Sequence, residues 1–117
     1  MEKVKRTAII DSVIQVVAER GFHGASMAMI SERAVVATGT IYRYFESKEV
    51  LITDIYWELE NRICKALLQN YKSKDTIRQR YIHLGRGLLS YIIDNPLHFR
   101  YLEQFRNSPY GVALRTG

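Results

Sequence analysis

The sequence predicts an all-α fold. Only two prolines and seven glycines interrupt 117 residues. Apolar residues recur at steps of three and four, and no segment alternates apolar with polar side chains as a half-buried strand does. The balance of 47% hydrophobic and 25% charged residues is that of a soluble globular chain. At this length about two thirds of the unfolded surface can be buried, so neither a disulfide nor a structural metal is required. Size argues for one domain, or a small module joined to part of a second, and against a multi-domain enzyme.

The first helix runs from about Val4 to Arg20, with Ile9, Val13, Val16 and Val17 on one face and Gly21 as a left-handed stop. Ser26 is a suitable N-cap for a short helix over Met27 to Ala34. After a break at Val35 to Ala37 a second short helix spans Thr38 to Tyr44. Ser47 caps a longer helix whose Leu51, Ile55, Leu59, Ile63 and Leu67 fall four apart, with Ala66 widening the stripe, and which ends near Tyr71. The polar run Lys72-Ser73-Lys74-Asp75 is a connector, with Asp75 or Ser73 capping a fifth helix that carries Ile77, Tyr81, Leu84, Leu88, Tyr91 and Ile92 and stops at Asp94. Asn95-Pro96 then supplies a cap and the proline favoured in a first turn, opening a sixth helix with Leu97, Tyr101, Leu102 and Phe105. Asn107 to Gly111 ends it.

Seventeen basic against twelve acidic side chains give +5, which permits an anionic partner without naming one. The excess is spread thinly, with seven bases against five acids up to Lys48 and ten against seven after it. The single cysteine, Cys64, has no partner in the chain, and no secretory leader is visible, so a reducing compartment, the cytoplasm, is expected. Charge-free runs such as Ala34 to Tyr42 and Gly87 to Ile93 fall far below the roughly 18 residues of a membrane span. No membrane partner is expected.

The two short helices have the spacing of a helix-turn-helix. Its second helix must stand proud of the domain, so small or apolar residues are needed wherever the pair touches its support. Ile30, Ala34, Val36, Ile41 and Phe45 supply those inward positions, which turns Thr38, Thr40 and Arg43 outward. Gly21-Phe22, Ser26 to Ala34 and the run Thr38-Gly39-Thr40-Ile41-Tyr42-Arg43-Tyr44-Phe45-Glu46-Ser47-Lys48-Glu49-Val50-Leu51 together resemble the TetR family of transcriptional repressors over about the first fifty residues. The resemblance implies a three-helix DNA-binding domain over residues 1–46, followed by a partial helical domain over residues 47–117 that senses a small, apolar effector and dimerises. It implies that Thr38 to Tyr44 enters the major groove of double-stranded operator DNA, and that contacts come from Ser26, Ala37, Thr38, Gly39, Thr40, Tyr42, Arg43, Tyr44 and Lys48.

The chemistry of those residues suits that role. Threonine hydroxyls reach bases or phosphates, and their methyls can meet thymine; Gly39 removes a side chain where duplex and backbone come closest. Tyr42 and Tyr44 offer neutral donors, and Lys48 adds its ammonium to the partial positive charge at a helix start. Three positions depart from the family pattern: Ala28 in place of a basic or polar residue, Val35 in place of the turn glycine, and Ala37 in place of a capping serine. A β-branched residue at positive φ is strained by about 1–2 kcal/mol, and a lost cap costs about 1 kcal/mol. The expectations are a reshaped turn and a weaker or shifted DNA interface.

No catalytic constellation is visible, and His23, His83, His98 and Cys64 lack metal-ligand spacing, so neither an enzyme nor a cofactor or metal site is expected. Cys64, beside Ile63, reads as a small buried hydrophobe. Tyr56, Trp57, Tyr81, Tyr91, Phe99, Tyr101 and Phe105 suit either core packing or a ligand cavity, and periodicity does not separate the two. Family members run to about two hundred residues, which implies that two late dimerisation helices lie beyond this chain. Operator affinity should then be reduced, and the apolar faces of the fifth and sixth helices left open to self-association. Val35, Ala37 and the short tail motivate a second reading, a helical interaction module without useful DNA affinity.

Overall fold

The computed structural model describes residues 2–116, with side-chain surroundings for residues 3–114. Seven helices follow in order: α1 (Glu2–Arg20), α2 (Met27–Ala34), α3 (Thr38–Tyr44), α4 (Lys48–Leu68), α5 (Ile77–Asp94), α6 (Pro96–Arg106) and α7 (Pro109–Thr116). The described residues form no strand.

Local chemistry sets most boundaries. Gly21 stops α1 at φ 72, a left-handed conformation that glycine adopts without a Cβ clash. The Ser26 hydroxyl accepts from Met29 N–H and starts α2; Ser47 does the same for α4 through Val50 N–H. Four of the expected features shift. The fifth helix is capped by Thr76, not by Asp75 or Ser73. Its hydroxyl accepts from Gln79 N–H while the Gln79 side chain accepts from Thr76 N–H, a reciprocal box that satisfies two end donors. Asn95 caps nothing with its side chain, which instead donates to the Tyr91 carbonyl at 3.2 Å and closes the end of α5. The fourth helix ends at Leu68 rather than near Tyr71, because Asn70 turns left-handed at φ 60. The segment read as a terminating junction and short tail instead forms α7. The Ser108 hydroxyl donates to Phe105 O and accepts from Gly111 N–H, with Pro109 in the first turn. Gly117 lies outside the described residues.

The core joins α1, α2, α3, the first half of α4 and α6. Ile9, Val13, Val16 and Val17 of α1 meet Leu51, Ile52, Ile55 and Leu59 of α4 and Tyr101, Leu102 and Phe105 of α6, with Ile30, Ile41 and Phe45 filling the head. Tyr101 is fully buried, and its hydroxyl donates to the Ile52 carbonyl at 2.7 Å, which satisfies the one polar atom it brings inside. Phe22 is edge-on to Tyr101 and Phe105, and Tyr56 stacks on Phe105 at 4.2 Å.

The other end of the molecule is less covered. No residue of α5 is buried, and Ile77 and Tyr81 are 78% and 79% exposed. The fifth-helix stripe is therefore amphipathic but largely unpartnered; Gly87, where a Cβ would stand 3.1 Å from Leu67, marks the close approach of α5 to α4. The radius of gyration, 16.3 Å, exceeds the roughly 13 Å of a compact chain this long. Cys64 is exposed rather than buried, because it lies off the α4 stripe on which the neighbouring Ile63 still packs against the core. No helix among the described residues is long and apolar enough to cross a membrane.

Candidate nucleic-acid interface

The interface is built from three short pieces held by the core. Ile30 of α2, Ile41 of α3 and Phe45 beyond α3 are buried, and Ala34 and Val36 pack against them, so the inward face lies where the spacing placed it. Phe45 is held from outside as well: the Arg6 guanidinium lies 5.6 Å above its ring and also bonds both carboxylate oxygens of Glu58 at 3.3 Å. Arg33 bonds Glu19 at 2.9 Å, tying α2 to α1 at the surface.

The turn keeps its left-handed residue despite the substitution. Val35 adopts φ 58 and ψ 46; its N–H reaches Glu32 O, and Val36 N–H reaches Ser31 O at 3.0 Å, the closure a glycine would make. A reshaped turn was expected and is not found. Val35 is 88% exposed, so its branched side chain meets solvent and only the intrinsic backbone penalty remains. Ala37 supplies no side-chain cap to α3. Thr38 adds a separate link: its hydroxyl donates to the Ser31 hydroxyl at 3.3 Å, and Ser31 in turn donates to Ala28 O. Ser31, buried and absent from the sequence-derived site, thereby joins the two helices. A donor reaching across the turn from another element leaves no local sequence signal.

Facing outward, Ala37, Thr38, Gly39, Tyr42 and Arg43 are exposed, and Thr40 and Tyr44 are half-buried. Gly39 has nothing within 4 Å of where its Cβ would stand, so nothing inside the protein requires a glycine there. Ser26 is exposed but already caps α2. Lys48 is the first residue of α4 and half-buried; its Nζ donates to the Phe22 carbonyl at 3.4 Å, a long contact that engages one of three donors. That link between the α1–α2 turn and α4 spans 26 residues and is invisible to sequence reading. Among the described residues, no group of three or more His, Cys, Asp or Glu is placed to hold a metal.

Residues 9–55 match the family model for bacterial regulatory proteins of the tetR family. Over those residues the chain carries the N-terminal segment of the TetR family. Over 79 residues it is 32% identical to the fatty acid metabolism regulator protein of Bacillus subtilis, taking in 68% of this chain and 41% of that protein. Over 68 residues it is 32% identical to the HTH-type transcriptional regulator BetI of Escherichia coli, 58% of this chain and 35% of that one. Its fold overlays on a TetR-family transcription regulator of Marinobacter aquaeolei with a TM-score of 0.85 at 26% identity, covering 92% of this chain and 56% of that chain. The chain thus spans less than half the length of these two curated relatives.

The aromatic residues beyond the head divide by environment. Tyr101 and Phe105 are core, Tyr56 and Trp57 pack edge to face with Trp57 53% exposed, and Tyr81 is outside. Of the seven, Phe99 alone borders the cavity of about 540 Å³ between α4, α5 and α6, whose walls include Ile63, Leu88, Leu102 and Arg106.

Proposed function

We propose that this chain is a transcriptional regulator, a repressor, that binds double-stranded operator DNA with α3 in the major groove and α2 across the backbone. The single observation that supports this most is the character of α3: an apolar underside fixed in the core, and an outer face of small and hydrogen-bonding groups with Gly39 open to its surroundings. Thr38, Gly39 and Thr40 lie against base edges. Ser26, Ala37, Tyr42, Arg43, Tyr44 and Lys48 meet the phosphates and sugars that fix register. Because the Thr38 O–H is engaged with Ser31, its methyl and lone pairs are what it offers without breaking that bond.

Residues 1–46 act as the reading head and residues 47–117 as the part that senses a small apolar effector, with function in the cytoplasm. A homodimer would place two heads on a palindromic site, each contact raising the effective concentration of the other. The kept turn at Val35 favours this reading over an interaction module without DNA affinity, since the departures from the family pattern leave α3 in place. Selection of bound fragments from a random duplex pool tests it: wild-type chain enriches a defined half-site, and Thr40→Val changes the preferred base at one position. Recovery of an unenriched pool by both proteins contradicts the reading.

A further inference from the structure

A second cavity, of about 590 Å³, lies between the α1–α2 turn, the start of α4 and the α6–α7 corner, within the size range of small-molecule sites. Its apolar wall is firm. Phe22, 8% exposed, is braced edge-on by Tyr101 at 5.4 Å, and Tyr110 tilts against it at 5.6 Å. The Ser108 hydroxyl in the same wall is used up on Phe105 O and Gly111 N–H. The one fixed positive charge in the lining is the Lys48 ammonium, which has only its long contact to Phe22 O to give up; the exposed His23 imidazole and the neutral amides of Gln104 and Asn107 line the cavity beside it. Glu103 faces them from α6.

That charge pattern selects a class of ligand. A cation meets Lys48, and a neutral apolar body covers the ammonium without pairing it. A dianion meets Glu103, and also Glu49, whose charge reaches Tyr110 and adds to burial in raising its phenol. A flat apolar body with one negative charge pairs Lys48, covers the ring wall and meets less repulsion from Glu103 than a dianion does. We propose that this cavity binds a small aromatic monocarboxylate, its carboxylate on Lys48 and its ring against Phe22 and Tyr110, and that occupation takes Lys48 away from DNA phosphate. The second half rests on the DNA-binding reading above; the first half stands without it. Lys48 then serves two anions in turn, so ligand and DNA weaken each other by the same factor.

The test uses the full isotope-labelled chain, with 3-phenylpropionate and its neutral amide as probes. At millimolar concentration the acid moves the backbone resonances of residues 22–23, 48 and 107–110 saturably, and the amide binds at least about tenfold more weakly. Lys48→Met abolishes the preference for the acid, and Tyr110→Leu weakens both probes alike; unchanged core resonances report that each variant is folded. Equal binding of acid and amide, no movement at those residues, or movement confined to α5 overturns the site. A DNA titration with the acid present then shows lowered affinity, and unaltered affinity overturns the coupling. Loss of all DNA binding in the unliganded chain overturns the coupling and the DNA reading together, while the resonance titration still decides the pocket.

Discussion

Gly39 separates what the fold needs from what an outside partner needs. It sits in the first turn of α3, and a methyl group there would touch nothing. Glycine in a helix is less favourable than alanine by about 0.5–1 kcal/mol, so folding alone argues against it. Gly39→Ala is therefore expected to raise stability by up to about that amount in denaturant unfolding while lowering affinity for duplex DNA, because the methyl enters the space of the closest approach. Unchanged affinity would show that α3 and the duplex do not meet at this point. Side-chain orientation in the head was legible at this scale: Ile30, Ile41 and Phe45 went inward and Thr38 and Arg43 outward as their spacing required, whereas Thr40, read as outward, is half-buried. Val35 shows the boundary of that method. The strain of a β-branched residue at positive φ was legible, but the backbone kept the conformation because Glu32 and Ser31 carbonyls are satisfied by it and the side chain is in solvent.

At the scale of elements, caps and periodicity placed the first six helices, and the errors lay at helix ends and beyond the sixth. Thr76 outcompetes Asp75 because Gln79 stands three positions later to complete the reciprocal box. The missed α7 has no apolar stripe long enough to be seen and depends on Ser108 and on burial of Gly111 against the end of α6, which only tertiary packing supplies. The junction of α5 and α6 carries the titration with the clearest consequence. The Tyr91 hydroxyl and His98 Nδ1 share a hydrogen bond at 2.9 Å, whose donor is set by the tautomer of the imidazole. Burial chiefly, and Arg62 second, hold His98 below its ordinary value, against a smaller opposing effect of Asp11. A histidine with a lowered folded pKa is protonated more readily when unfolded. Its contribution is thus complete above about pH 6.5 and is lost as pH falls from there toward the folded value. Denaturant midpoints measured across that window should fall less steeply for His98→Gln than for wild type; parallel slopes would place the sensitivity in other groups.

For the whole molecule, the decisive feature is asymmetry. A dense core shared by α1, α4 and α6 supports the head, while α5 lies outside it against α4 and α6, with none of its residues fully buried. Sequence periodicity identified the face of α5 and could not show whether anything covers it, since an amphipathic stripe has the same spacing whether or not it is partnered. The cavity beside Lys48 was equally hidden, assembled from residues as distant as Phe22 and Tyr110. Lys48, at the start of α4, links that helix to the turn behind the head through the Phe22 carbonyl. The central claim is that this head binds duplex DNA through its phosphates. The most direct measurement is fluorescence anisotropy of labelled duplexes over a range of salt concentrations, with wild type and Lys48→Ala. The account predicts that log affinity falls linearly with log salt, and that Lys48→Ala weakens every sequence similarly and reduces the slope by about one. Absence of salt-dependent binding by the wild-type chain, or an unchanged slope in Lys48→Ala, would contradict it.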